Sequence, residues 1–159
     1  MRKISYSILL LWSILSVAVG SLGGLVTAPN IASWYTYLIK PDLNPPNWVF
    51  GPVWTLLYAL MGASAYIVWF TMRKKKPKRN PLYWFGIQFV LNIAWSFIFF
   101  GLHSPLWGFV CILFLWGSIC KTIEEFRKVR ETAAWLLMPY FFWVSFASYL
   151  NFSVYILNP

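Results

Sequence analysis

Amide and aromatic side chains recur at helical spacing in an apolar stretch near the middle of the chain. At steps of four, three and four residues it carries Gln88, Asn92, Trp95 and Phe99. Residues at this spacing share one face of a helix. Flat apolar walls with a few hydrogen-bonding groups suit a large, flat, mostly apolar ligand. Alternatively, each amide only joins two helices, with a bond worth about 1 kcal/mol or less.

Two further apolar stretches carry aromatic faces of the same kind. One has Trp54, Tyr58, Met61 and Ala65. The other has Trp143, Ala147 and Asn151 at steps of four. Three helices would thus each turn such a face inward, and together they predict an aromatic pocket within a helix bundle.

Side chains that usually act as acids, bases or metal ligands are scarce in these stretches. The charged residues lie outside them or at their ends, which argues against hydrolysis and against a pump or proton-coupled carrier. His103 is the single histidine and falls in a short connection. Cys111 and Cys120 are interpreted as small hydrophobic residues. The sequence therefore predicts no metal site and no required cofactor.

Composition indicates that lipid surrounds the elements that hold these faces. The chain is 60% hydrophobic and 11% charged, whereas soluble domains are about a quarter charged. A membrane-spanning helix needs about 20 apolar residues. Five such runs cover about 6–26, 48–71, 82–101, 105–121 and 133–157. We therefore predict an all-α fold, with residues 1–159 forming one membrane domain of five transmembrane helices.

Positive charge is distributed unevenly between the connections. All but one of the 13 Lys and Arg residues fall before the first run, between the second and third, or between the fourth and fifth. This pattern predicts a cytoplasmic N-terminus in a bacterial cell membrane, with Lys40 on the opposite side. The basic runs are interpreted as topology determinants that contact anionic membrane lipids, and not as a nucleic-acid site.

The connection 27–47 is too aromatic and proline-rich for a solvated linker. It either folds back over the bundle as a cap or forms an interfacial aromatic belt. At its end, Asn47 is expected to cap the second helix, with Trp48 at the membrane interface and Trp54 facing inward.

Small residues at four-residue spacing predict close helix contacts in the membrane. Ser16, Gly20 and Gly24 follow this spacing in the first run, and Gly62 begins a smooth patch in the second. These contacts could lie within one chain or between two copies.

Several unusual motifs together resemble one known family. KPDLNPPNWVFGPVWTLLYALMG (40–62) resembles the characteristic segment of the translocator protein family (TspO/MBR, tryptophan-rich sensory protein). WYTYLIKP (34–41), FFG (99–101), Trp107 and AWLLMPYFFWVSFASYLN (134–151) follow in that family's order. The resemblance covers about 30–155.

The resemblance implies a five-helix membrane protein, commonly a homodimer, that binds porphyrins such as protoporphyrin IX and haem in a pocket. It places Trp34 in the capping loop and Pro45 and Pro46 at its junction with the second helix. The positions that match the family's pocket are Trp54, Tyr58, Asn92, Trp95, Trp107, Trp143, Ala147 and Leu150. The basic residue of the mammalian C-terminal cholesterol motif is absent after Tyr155.

Three functions follow as hypotheses. The first is a receptor or sensor for tetrapyrroles, bound under the 27–47 loop. The second is light- and oxygen-dependent porphyrin degradation, for which the resemblance assigns the photochemistry to Trp54 and Trp143. A porphyrin or lipid transporter is the least favoured, because intramembrane charges and internal repeats are missing.

Overall fold

The computed structural model describes residues 4–73 and 80–159, which form an all-α bundle. The helices are α1 (Tyr6–Asn30), α2 (Phe50–Met72), α3 (Leu82–Ser96), α4 (Pro105–Val129), α5 (Glu131–Leu136) and α6 (Met138–Leu157). A π-helical turn extends α1 through Ile31–Tyr35, another extends α3 through Phe97–Gly101, and a 3-10 turn at Asn47–Val49 precedes α2. The predicted topology signals at Arg2, Lys3 and 74–79 lie outside the described residues.

Five helical segments of the described chain are long and apolar enough to cross a membrane, with α5 and α6 together forming the fifth. Many large apolar side chains point away from the bundle, including Leu10, Leu25 and Phe114. Helices with this outward surface suit a lipid surrounding, because their backbone hydrogen bonds are closed within each segment. The predicted five-helix membrane fold is confirmed.

The first helix is longer than predicted, because it continues through Pro29 to Tyr35. An interior proline removes the backbone donor to the carbonyl four residues earlier, here that of Leu25, and helices in lipid tolerate this loss. Two polar side chains nearby also bond to carbonyls of the same helix. Thr27 Oγ1 donates to the carbonyl of Gly23 at 3.0 Å, and Asn30 Nδ2 donates to that of Val26 at 2.9 Å. The prediction of a loop over 27–47 is therefore wrong in its first half, which is helical through residue 37, and the short loop covers 38–46.

The fourth and fifth spans also differ from their predicted bounds. α4 runs to Val129 and not to residue 121, because its last turns bury Phe126 and form surface ion pairs. Lys128 Nζ lies 2.6 Å from the carboxylate of Glu124, one helical turn away. The helix break at Leu137 comes two residues before Pro139, whose ring cannot donate to the preceding turn.

Glycines set the closest contacts between α1 and α2. A Cβ atom at Gly62 would lie 2.4 Å from the carbonyl oxygen of Trp12, and one at Gly20 would lie 2.6 Å from the ring of Tyr58. Both positions therefore exclude any side chain, and they serve a contact within one chain. Gly24 was predicted to belong to the same contact, but a Cβ there meets nothing within 4 Å.

Candidate ligand-binding site

A cavity of about 420 Å³ lies near the end of the bundle where α1 ends and α2 begins. Its walls come from α1, α2, α3 and α6. Five of the predicted site residues line it: Trp54, Tyr58, Trp95, Trp143 and Ala147. The volume falls within the range of small-molecule sites, about 300–1,000 Å³.

Trp54 lies at the centre of an aromatic cluster. Its ring is stacked 5.5 Å from that of Tyr58 and lies 6.3 Å from that of Trp95 and 6.2 Å from that of Tyr140. Pairs at these separations stabilise one another beyond their buried area, by about 0.5–1.5 kcal/mol each. The α2 wall of the cavity is therefore a rigid flat surface.

Hydrogen bonds behind this surface fix the phenol rings. The hydroxyl of Tyr58 donates to Oδ1 of Asn92 at 2.6 Å, and Nδ2 of Asn92 reaches the Tyr140 hydroxyl at 3.3 Å. Asn92 is 1% exposed and does not line the cavity. Asn92 was interpreted either as a ligand contact or as a link between helices. In the structure it links α3 to α2 and α6.

Trp95 is held in the same way by the amide of Asn151. Its Nε1 donates to Oδ1 of Asn151 at 3.0 Å, while Nδ2 of Asn151 donates to the Pro105 carbonyl at 2.7 Å. Phe99 supports Trp95 from behind, with its ring stacked 5.6 Å away. The next residue, Phe100, reaches the cavity instead. Asn92 and Asn151 thus position the aromatic walls and do not face the cavity.

The structure places the remaining predicted residues outside the cavity lining. Gln88 is buried, with both amide atoms lacking a hydrogen-bond partner, and Leu150 is buried within the core. Trp107 is 64% exposed on α4. Pro45 and Pro46 lie at the end of the short loop, and the Pro46 carbonyl accepts a bond from Val49 at the first 3-10 turn.

Asn47 differs from its expected role as a helix cap. It belongs to the 3-10 turn that precedes α2, and this turn has no side-chain cap hydrogen bond at its N-cap, Pro46. Pro46 has an extended backbone (ψ 143°), so the direction of α2 is set by the proline and the turn. Asn47 instead lines the cavity.

Within the predicted cap 27–47, Thr27, Ala28, Ile31 and Asn47 line the cavity, whereas none of the residues 32–46 does. Trp34 packs away from it, stacked 4.6 Å from His103 and edge-on to Phe99 at 5.5 Å. The short loop is instead joined to the chain's last turn. Nδ2 of Asn158 donates to the Ile39 carbonyl, and Oδ1 of Asn158 accepts from the Ile39 amide, both at 2.9 Å.

The side chain of Lys40 caps the C-terminal end of the first helical segment. Its Nζ donates to the carbonyls of Tyr35 and Leu38 at 2.8 Å and to that of Thr36 at 3.1 Å. Partial burial lowers the pKa of this ammonium group from its ordinary value. With its donors turned to the backbone, Lys40 does not face the cavity.

Sequence reasoning missed the α1 wall of the cavity completely. That wall consists of Ser21, Gly24, Thr27, Ala28 and Ile31. The available signal was the run of small residues after Gly20, which was interpreted as a packing face. Trp48, predicted to lie at the interface, is 75% exposed and also reaches the cavity edge.

The walls offer both acceptors and a free donor, since the buried Nε1 of Trp143 has no hydrogen-bond partner among the described residues. The hydroxyls of Ser21, Thr27 and Thr55 each donate to the carbonyl four residues earlier, at 2.7 to 3.0 Å. Their oxygens can therefore accept a further hydrogen bond, but their own hydrogens are already used. No charged side chain is among the described lining residues. A flat apolar ligand with a few donor or acceptor groups fits these walls, provided that its ionised groups remain at the opening.

Comparison with known proteins gives a consistent result. The family model described as the TspO/MBR family matches residues 12–157. The chain is 49% identical over 146 residues to the tryptophan-rich protein TspO of Chlorobaculum tepidum, covering 91% of this chain and 92% of that protein. It is 40% identical over 123 residues to the human translocator protein, covering 77% and 73%. A tryptophan-rich sensory protein of Cereibacter sphaeroides is 32% identical over 125 residues, covering 79% and 77%.

Proposed function

Because this chain belongs to the TspO/MBR family, we propose that it is a membrane receptor that senses tetrapyrroles such as protoporphyrin IX. The observation that carries the proposal is the flat face of Trp54, held by stacked and edge-on aromatic neighbours in a cavity without charged walls. A porphyrin is flat and largely apolar, and an aromatic pair contributes about 0.5–1.5 kcal/mol beyond the area that it buries.

The chemistry of the walls favours a metal-free macrocycle as the first ligand to test. Free-base porphyrin needs no axial ligand, so it can bind by stacking on the aromatic walls alone. Haem is the second ligand of the proposal. It would bind by stacking, since no His, Cys or Met is among the described lining residues.

Absorbance titration of the purified protein with protoporphyrin IX tests the proposal. We expect saturable binding that weakens in Trp54→Ala and in Trp143→Ala, because both rings line the cavity. Trp116→Ala is the matched control, since this exposed tryptophan on α4 bonds to Ser145 outside the cavity. Unchanged affinity in both cavity variants would remove the site assignment.

A second candidate function is light-dependent porphyrin degradation with dioxygen as the co-reactant. The observation that favours it is the presence of two oxidisable indoles, Trp54 and Trp143, in one cavity. Trp54 lies 6.3 Å from the ring of Trp95, so an electron vacancy formed beside the ligand has a neighbour to move to. Illumination of the complex with and without oxygen tests this activity. A bleaching rate that Trp143→Phe leaves unchanged would rule out the tryptophan mechanism.

Orientation and assembly belong to the same proposal. We propose that the protein is a homodimer in a bacterial cell membrane, with its N-terminus in the cytoplasm and the short loop (38–46) outside. The distribution of Lys and Arg supports this orientation. A cysteine placed at the exposed Leu43 should react with a membrane-impermeant thiol reagent added to intact cells. Cross-linking in native membranes tests the dimer.

A further inference from the structure

α1 and α2 touch at one end of the cavity and separate at the other. At Gly20, a Cβ atom would lie 2.6 Å from the Tyr58 ring, so no space remains between the helices. One turn further along α1, a Cβ at Gly24 would meet nothing within 4 Å, and the same holds for Gly51 near the start of α2. The two helices therefore diverge above the contact of Gly20 with Tyr58.

Where α1 separates from α2, it remains packed against the rest of the bundle. A Cβ at Gly23 would lie 2.8 Å from the hydroxyl of Ser96 on α3, and one at Gly101 would lie 3.1 Å from the side chain of Val26. Along this length α1 thus remains in contact with α3 and with the π turn that follows it. The separation is specific to the α1–α2 pair and forms a slot.

The slot faces the side of the bundle and not its end. Its edges are exposed small residues: Gly24 and Ala28 on α1, and Gly51 and Thr55 on α2. The neighbouring residues Leu25 and Leu56 are 73% and 60% exposed and point outward. An outward apolar surface on a spanning helix contacts lipid, so the slot opens into the membrane.

The other route, through the end of the bundle, is covered by the short loop, which polar contacts join to the rest of the chain. Asn158 bonds to both backbone groups of Ile39, and the Tyr35 hydroxyl donates to Oδ1 of Asn44 at 2.6 Å. These contacts would all have to break for the short loop to move aside, whereas the slot needs no rearrangement of hydrogen bonds.

We propose that the slot between α1 and α2 is the route by which the ligand reaches the cavity, and that the ligand is taken directly from the membrane. This inference rests on the proposed function. It defines the ligand class as a flat amphiphile that partitions into lipid and passes edge-first between glycine-lined helices. The ionised groups of the ligand would remain outside the cavity, beside the exposed Trp48 at the edge of the slot. Gly24 and Gly51 are then selectivity residues, because any side chain there narrows the slot.

Transfer of protoporphyrin IX from donor vesicles to the reconstituted protein, followed by its fluorescence, tests the route. We expect Gly24→Leu and Gly51→Leu to slow association by about tenfold or more, since the path then requires side-chain displacement. The matched control is Gly117→Leu on α4, where a Cβ also meets nothing within 4 Å but lies away from the cavity. Association in this control should match that of the original protein.

A bulky group attached to the slot after the protein has folded tests the route even if the leucine variants fold poorly. In a background with Cys111→Ala and Cys120→Ala, Thr55→Cys is modified by a bulky aromatic thiol reagent and later released by reductant. Association should slow on modification and recover on release. An equal rate before and after modification, with the leucine variants also unaffected, would overturn the proposal.

A disulfide that immobilises the short loop tests the alternative route through the end of the bundle. In the same background, Ile39→Cys with Asn158→Cys joins the short loop to the last turn under oxidation. The proposal expects the same association rate in the oxidised and reduced forms, and a slower oxidised form would place the route through the loop instead. Failure of the proposed function is distinguishable from both results, since the original protein would then show no saturable binding at all.

Discussion

The two halves of the α1–α2 pair differ in what their glycines do. In the half away from the short loop, Gly20 and Gly62 allow the helices to touch, with hypothetical Cβ distances of 2.6 and 2.4 Å. In the half near it, Gly24 and Gly51 leave space that no side chain fills. The same residue type therefore provides packing in one half and access in the other, and the neighbour across the gap decides which.

The packed half should respond most strongly to added volume. Gly62→Leu places its side chain against the Trp12 carbonyl and the backbone of Ser13, so the helices must separate. Overpacking of this kind costs about 1–3 kcal/mol or more. We expect a large fall in thermal stability in detergent, measured as folded protein remaining after heating. Gly24→Leu should have a small effect, and an equal loss in both variants would contradict the division into halves.

This division could not be predicted from the sequence. Small residues at four-residue spacing indicate close approach, and the pattern treats Ser16, Gly20 and Gly24 alike. The direction in which two helices diverge depends on their tertiary contacts, and here Gly23 and Val26 keep α1 against α3. The missed α1 wall of the cavity has the same cause.

Other parts of the fold and site could be predicted. The five spans follow from apolar length, and the aromatic faces of α2, α3 and α6 follow from helical spacing. The amides were placed on the correct faces, but spacing does not tell whether Asn92 binds a ligand or Tyr58. The helix continuing past Pro29 was missed because local rules treat proline as a stop, whereas helices in lipid tolerate an interior proline.

The open half should respond most strongly to loss of aromatic surface. Trp54→Ala removes the ring that stacks on Tyr58 and faces the cavity. We expect an affinity for protoporphyrin IX about tenfold lower or more, since the variant loses an aromatic pair worth about 0.5–1.5 kcal/mol as well as the apolar area of the ring. Trp107→Ala should leave the affinity unchanged, because the structure places this exposed ring outside the cavity. A comparable loss in Trp107→Ala would extend the site toward α4.

The boundary between the halves is marked by the Tyr58 hydroxyl. Tyr58→Phe keeps the ring that contacts Gly20 but removes the 2.6 Å donor to Asn92. Hydrogen bonds between membrane helices average about 0.6 kcal/mol, with a maximum near 1.7. We expect a stability loss of about 1 kcal/mol with ligand affinity nearly unchanged, measured by thermal unfolding and absorbance titration. A strong loss of affinity alone would show that the hydroxyl contacts the ligand.

The smallest effect on stability is expected at the short loop (38–46), where the contacts are exposed to water. Asn158→Ala removes both bonds to Ile39, but these contacts are exposed, so water replaces them at little cost. We expect a stability change of about 0.5 kcal/mol or less and faster hydrogen exchange at the Ile39 amide, with association of protoporphyrin IX unchanged. Asn158→Asp is the companion variant, because its carboxylate can still accept from that amide and should restore protection. If Asn158→Ala instead accelerated ligand association, the short loop would control access, and the contrast between a closed end and an open slot would fail.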